Sequence, residues 1–124
     1  MSPTLFLTLP YPPTSNTLYA TVNGRRVLTR EGRAYKRDVA WLAKQALLQC
    51  PTWPCTRETE YWMSWGITVP DLRRDLDNCL KAIGDALTDA GVYPDDSQVM
   101  EMHIVKDYQP GQGEVRLAVH VREE

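Results

Sequence analysis

Leu5, Leu7 and Leu9 recur at every second position, the period of a half-buried strand, and Pro10 ends the run. Tyr11-Pro-Pro-Thr-Ser-Asn16 predicts a stiff, extended connection. Residues 18–22 and 25–29 flank Asn23-Gly24, a strong two-residue hairpin signal. The period then changes. Over 31–49, Tyr35, Val39, Leu42, Ala43, Ala46 and Leu47 form the apolar stripe of a helix, which Pro51 stops. Residues 51–57 read as a loop and 58–69 as a strand, with Tyr61, Met63, Trp65 and Ile67 on one face. A second helix is predicted over about 76–90, with Leu76, Leu80, Ile83, Leu87 and Ala90 as its stripe and Gly91 just past its end. After a turn at 93–96, residues 98–106 give a strand carrying Met100, Met102 and Ile104 on one face. Pro110-Gly-Gln-Gly113 turns the chain back, and Val115, Leu117, Val119 and Val121 mark the last strand. About six strands and two amphipathic helices predict an α+β fold. A single mixed β-sheet with both helices packed on one face is the simplest way to bury both stripes.

Composition narrows the class. A chain of 124 residues reads as a single domain over 1–124. No apolar run approaches the ~20 residues that span a bilayer, and Met1-Ser-Pro-Thr-Leu-Phe-Leu has neither a basic n-region nor a long apolar core. Cys50, Cys55 and Cys79 are an odd count, which reads as free thiols in a reducing cytoplasm. The two histidines, His103 and His120, fall in separate strands, which argues against zinc. The expectation is a cytoplasmic protein with no membrane partner.

Candidate chemistry is concentrated in one stretch. Asp75, Asp77, Lys81, Asp95 and Asp96 lie within 22 residues. Crowded carboxylates repel one another, and bound divalent ions turn that repulsion into binding. Asp75 stands at the N-cap of the second helix; Asp77 and Lys81, at i and i+4, share a face that is not the apolar one. Each residue also has an ordinary structural role open to it, as cap, first-turn acid, surface ion pair or turn residue. Spacing alone does not decide whether the turn at 93–96 reaches the helix start. An EF-hand loop counted from Asp75 fails, because its sixth and twelfth positions hold Leu80 and Ala86. A glycosidase pair would leave Lys81 and the basic residues without a role. Those basic residues matter because net charge is −2, yet residues 1–45 carry seven basic groups against two acidic, and the remainder seven against fourteen. Metal ions in the acidic part would make one basic surface for a phosphate substrate. Oxygen ligands without His or Cys favour Mg²⁺, with Mn²⁺ as a substitute.

The stretch from Pro70 to Val99 resembles the signature of the RusA family of Holliday junction resolvases. Its elements are the arginine lead Arg73-Arg74, Asp75-Leu-Asp77-Asn78, Lys81, Asp85-Ala-Leu-Thr-Asp-Ala-Gly91 and Asp95-Asp96-Ser-Gln-Val99. Leu9-Pro-Tyr-Pro-Pro-Thr-Ser-Asn16 is similar to the family's opening motif, with Thr14 where serine is usual. The resemblance implies a small α+β subunit that acts as a homodimer on four-way DNA junctions, nicking opposed strands with Mg²⁺ and leaving 5′-phosphate and 3′-hydroxyl ends. It implies Asp75, Asp77 and Asp96 as metal ligands and Lys81 as the catalytic lysine, with Arg74, Asn78 and Asp95 in supporting roles. DNA contacts are expected from Asn16, Arg25, Arg26, Arg33, Lys36, Arg37 and Arg73. Tyr93 either stacks on an unpaired base or packs over the helix end. The chain departs from the family in its net acidity and its short arginine lead. Two further readings remain: a nuclease for other branched DNA such as forks or flaps, and a junction-binding protein that does not cut.

Overall fold

The computed structural model describes residues 2–123, apart from the side chains of Ser15 and Asn16. Its elements run β1 (Thr4–Pro10), a short α1 (Ser15–Leu18), β2 (Tyr19–Val22), β3 (Arg25–Leu28), α2 (Arg30–Leu48), β4 (Tyr61–Val69), α3 (Leu76–Ala90), a 3₁₀ turn (Asp96–Gln98), β5 (Val99–Tyr108) and β6 (Glu114–Val121). The six strands divide in two. Four form a mixed sheet in the order β1-β6-β4-β5, and β2 with β3 makes a separate hairpin. Alternation predicts strands but not their partners, so this division was not legible in the periodicity. Asn23 (φ 52°) and Gly24 (φ 74°) make the hairpin turn; two positive φ values are what a tight two-residue loop demands.

β6 sits between β1 and β4, antiparallel to both, with Leu7 opposite Leu117 and Met63 opposite Val119. β4 and β5 run parallel, so the chain must cross over between them, and α3 is that crossover. Leu5, Leu9, Met63, Ile67, Val115 and Val119 from the sheet are fully buried against Val39 of α2 and Ile83 and Leu87 of α3. β1, β4 and β6 send alternate residues inward, and α2 and α3 each supply one stripe, as the pattern predicts.

Local contacts set the helix starts. The Thr29 hydroxyl accepts from the Gly32 amide at 3.0 Å and caps α2. Gly32 is required by a close approach: a Cβ there would lie 2.4 Å from the Leu18 carbonyl oxygen. Asp75 caps α3 by accepting from the Asp77 amide at 2.9 Å, and Gly91 closes the helix at φ 86°. Among the described residues no helix is long and apolar enough to cross a membrane, and all three cysteines are free thiols.

β5 is the irregular member. Its pairing with β4 jumps from Val99 to Glu101, leaving Met100 as an extra residue. Beyond that bulge Met102 and Ile104 stand beside buried Met63 and Trp65, yet they are 45% and 38% exposed. The helical layer stops short of this strand.

Candidate active site

α3 sets the site. Asp77, Lys81 and Asp85 occupy successive turns of one face, and all three line a cavity of about 410 Å³. Asp96 enters the same cavity from the 3₁₀ turn, above a floor of Met63, Trp65, Val99 and Met102. The turn at 93–96 therefore does share a cavity with the helix face that carries Asp77 and Lys81.

Asp75 goes elsewhere. It lines an adjoining cavity of about 290 Å³ with Arg73, Arg74, Asn78, Cys79 and residues Tyr11 to Thr14. Its carboxylate is turned back to cap its own helix, which separates it from the Asp77 face. Asn78 and Lys81 also meet Arg26 and Tyr19 of the hairpin in a third, smaller recess. Asp95 caps the 3₁₀ turn, accepting from the Ser97 amide at 3.0 Å. Among the described residues no three Asp, Glu, His or Cys side chains converge closely enough to hold a metal ion unaided.

Charge reflects this layout. Asp96 is exposed, yet loss of some hydration at the cavity rim raises its carboxyl above the ordinary value, and the neighbouring carboxylates of Asp95 and Asp85 add to the shift. Asp95 is held below the usual range, chiefly by the Ser97 amide it accepts from. In the adjoining cavity burial pushes the Cys79 thiol and the Tyr11 hydroxyl up to about 12 each. The Arg74 guanidinium lies 5.7 Å from the centre of the Tyr11 ring, and its Nη1 is buried with no hydrogen-bond partner. A buried, unpartnered guanidinium nitrogen beside a cavity suits an anionic oxygen such as a phosphate ester's.

The basic residues divide by what already holds them. Arg25 and Arg37 are exposed. Arg26 is also exposed and lies over the Tyr19 ring at 4.1 Å. Arg33 is exposed too, and its Nη1 donates to the Leu28 carbonyl at 3.0 Å. Exposed Arg73 pairs with Asp71 at 3.2 Å. Lys36 is committed differently: it bridges α2 to α3 through Asp89 at 2.5 Å. The Asn16 side chain falls outside the described residues. Of the two readings for Tyr93, the structure has the packing over the helix end and not the stacking on a base. It is 1% exposed, its ring lies 5.6 Å from that of Tyr61, and its hydroxyl donates to the Gly84 carbonyl at 3.3 Å. No base can reach its face.

Sequence reasoning missed two residues as members of the site. Asp85 was legible, because it stands four residues beyond Lys81 as Lys81 stands beyond Asp77. Tyr11 was not, because its place beside Arg74 depends on the path of the proline-rich connection.

Comparison with known proteins places these residues in context. The family described as endodeoxyribonuclease RusA matches residues 10–122. The chain is 42% identical over 105 residues to the crossover junction endodeoxyribonuclease RusA of Escherichia coli strain K12, covering 83% of this chain and 82% of that protein. Identity is 41% over the same length to the proteins of that name from Shigella sonnei strain Ss046 and Enterobacteria phage 82. Since the match takes in both cavities and the basic hairpin together, the chain belongs to the RusA endodeoxyribonuclease family.

Proposed function

We propose that this chain is a Mg²⁺-dependent endonuclease that resolves four-way DNA junctions in the cytoplasm. It works as a homodimer and cuts two opposed strands to leave 5′-phosphate and 3′-hydroxyl ends. The observation that carries this reading is that Asp77, Lys81, Asp85 and Asp96 line one cavity in a chain of this family.

The donors suit the ion. Mg²⁺ keeps several waters and binds through one or two carboxylates plus substrate phosphate, so a closed three-acid cage is not required. Asp77 and Asp96 are the first ligands of choice, with Asp75 across the helix start as a third. Bound there, the ion would polarise the phosphoryl oxygen and offset charge on the leaving oxygen. Lys81 stands on the same wall and stabilises the anionic transition state from the protein side. The Arg74 guanidinium takes a flanking phosphate and fixes the strand, while Asn78 lies between the two groups. Arg25, Arg26, Arg33, Arg37 and Arg73 supply contacts to the DNA backbone, which set register and orientation rather than sequence. Two such sites on one two-fold particle match the symmetry of a junction that needs two nicks.

The deciding experiment incubates the protein with an end-labelled mobile four-way junction and with linear duplex of the same sequence, with Mg²⁺, with Mn²⁺ and with neither. Paired symmetric nicks in the junction alone, sealed by DNA ligase, are expected with either ion. Equal cutting of the linear duplex, or no cutting with either ion, overturns the reading.

A further inference from the structure

We infer that a cleft between α2 and the end of β1, built from Pro10, Asp38, Trp41 and Leu42, is a pocket for one unpaired nucleobase of branched DNA. This rests on the reading of the chain as a junction nuclease and names the part of the junction that the α2 face takes.

Trp41 is the unusual residue. Trp65 is buried, Trp53 donates its indole N–H to the Val92 carbonyl at 2.8 Å, and Trp62 stacks on His120 at 3.8 Å. Trp41 is 63% exposed, with no ring or hydrogen-bond partner among the described residues. An indole left in water forgoes the burial that so large an aromatic side chain usually gains. Its neighbours say what would cover it. Arg33, Arg37, Trp41 and Lys44 succeed one another at helical spacing, so they stand in one exposed row along α2 with cations on both sides of the ring. Cations flanking an aromatic face match a nucleotide strand, which carries its phosphates on either side of a flat base. An apolar peptide would leave those charges without a partner.

The cleft itself fits a base. Its volume is about 300 Å³, and Pro10, Trp41 and Leu42 supply apolar walls. The Tyr35 hydroxyl donates to the Pro10 carbonyl at 2.8 Å and holds that wall against α2. Asp38 is the polar group of the cleft, exposed and without a hydrogen bond or ion pair among the described residues. A carboxylate repels phosphate, so its place here excludes the backbone and favours an N–H donor. Guanine offers it two parallel donors, and adenine and cytosine offer an amino group. Thymine has a single N–H between two carbonyls that repel the carboxylate. In a duplex those donors are paired and the base faces are stacked, so only a base released at the branch can enter. Pro10 leads directly into Tyr11, whose ring lies beside Arg74, so the cleft and the Arg74 cavity adjoin along one connection.

The test measures binding without divalent metal, so that nothing is cut. The probes are four-way junctions carrying one unpaired guanine or one unpaired thymine at the crossover, and linear duplex of the same sequence. The unmodified protein should bind the guanine junction several-fold tighter than the thymine one. Trp41→Ala should weaken binding to the guanine junction by about tenfold, the scale of one lost base stack, and leave linear duplex as it was. Trp41→Phe should keep most of the affinity, and Asp38→Ala should abolish the preference for guanine. The guanine junction, and not the duplex, should shield from acrylamide the part of the tryptophan emission that Trp41→Phe removes. Equal weakening on junction and duplex by Trp41→Ala makes the row a phosphate contact and overturns the pocket. So does a Trp41→Ala protein that binds every DNA normally, the result expected if this face meets a protein instead. A guanine preference that survives Asp38→Ala overturns the role of the carboxylate. A protein that binds no junction better than duplex overturns the nuclease reading and the pocket with it; one that prefers junctions but ignores Trp41 overturns the pocket alone.

Discussion

The side-chain amide of Gln98 donates to the carbonyls of Thr56 and Thr59, each at 2.8 Å. One residue thus ties the 3₁₀ turn that carries Asp96 to the loop ahead of β4, and so fixes where β5 begins. Gln98 is expected to act as a positioning residue for Asp96. Gln98→Ala should cost roughly 1–2 kcal/mol, since the bond to Thr59 is partly buried and the bond to Thr56 is exposed. It should also raise the Mg²⁺ concentration needed for half-maximal cleavage while junction binding without metal stays unchanged. A melt and a metal titration of the nicking rate check both; an unchanged metal requirement removes Gln98 from the site.

Asp77→Asn keeps side-chain size and removes the charge. Cleavage with Mg²⁺ should fall by ~10²-fold or more, the scale of losing one preorganised charge-stabilising group. Junction binding should hold or tighten, because a negative charge facing phosphate is gone. Lys81→Ala should lose cleavage to a similar degree without weakening metal binding. A gel-shift assay beside the cleavage assay separates these outcomes, and near-normal nicking by Asp77→Asn would remove the proposed site.

Asp96 should make the metal-free protein less stable than it need be. Its folded-state pKa is raised by loss of some hydration at the cavity rim, and further by Asp95 and Asp85, so the folded chain holds that proton more tightly than the unfolded chain does. The penalty is absent below the ordinary carboxylate value and complete once pH exceeds the raised value. Asp96→Asn should therefore raise the melting temperature of the metal-free protein at pH 7, and the gain should vanish near pH 3. Equal gains at both pH values would point to a cause other than ionisation.

DNA affinity should depend on the hairpin and the exposed face of α2, and not on Lys36. Log K should fall linearly with log salt, by roughly 0.9 for each phosphate neutralised. Replacing Arg25 and Arg26, or Arg33 and Arg37, by Glu should weaken binding to every DNA shape and flatten that slope. Lys36→Ala should leave the slope alone and lower the melting temperature, because its charge is committed to Asp89. Fluorescence anisotropy across a salt series distinguishes them.

What could be read without coordinates was local. The Asp75 cap, the Gly91 stop and the shared face of Asp77 and Lys81 all follow from spacing along one helix, and the structure has each of them. The alternation in 61–67 and 115–121 likewise predicted which residues turn inward. Distant contacts were not legible. Asp75 and Asp77 are two residues apart in sequence, yet the helix start aims them at different cavities. Tyr93 follows a helix end, where sequence left stacking and packing both open, and Tyr61 from β4 comes in beside it. Lys36 reads as one of a basic run until Asp89 from the other helix claims it.

The placement of β6 bears on how the protein is made. It is the last of these strands to leave the ribosome, yet it lies between β1 and β4, and both must wait for it. At ~5–20 residues per second, a nascent chain spends several seconds with the helices made and the middle of its sheet missing. Until residues 114–121 emerge, β4 has no antiparallel neighbour to hold the floor of the acid-lined cavity. Premature termination anywhere before that strand should yield a chain that is degraded rather than one that nicks.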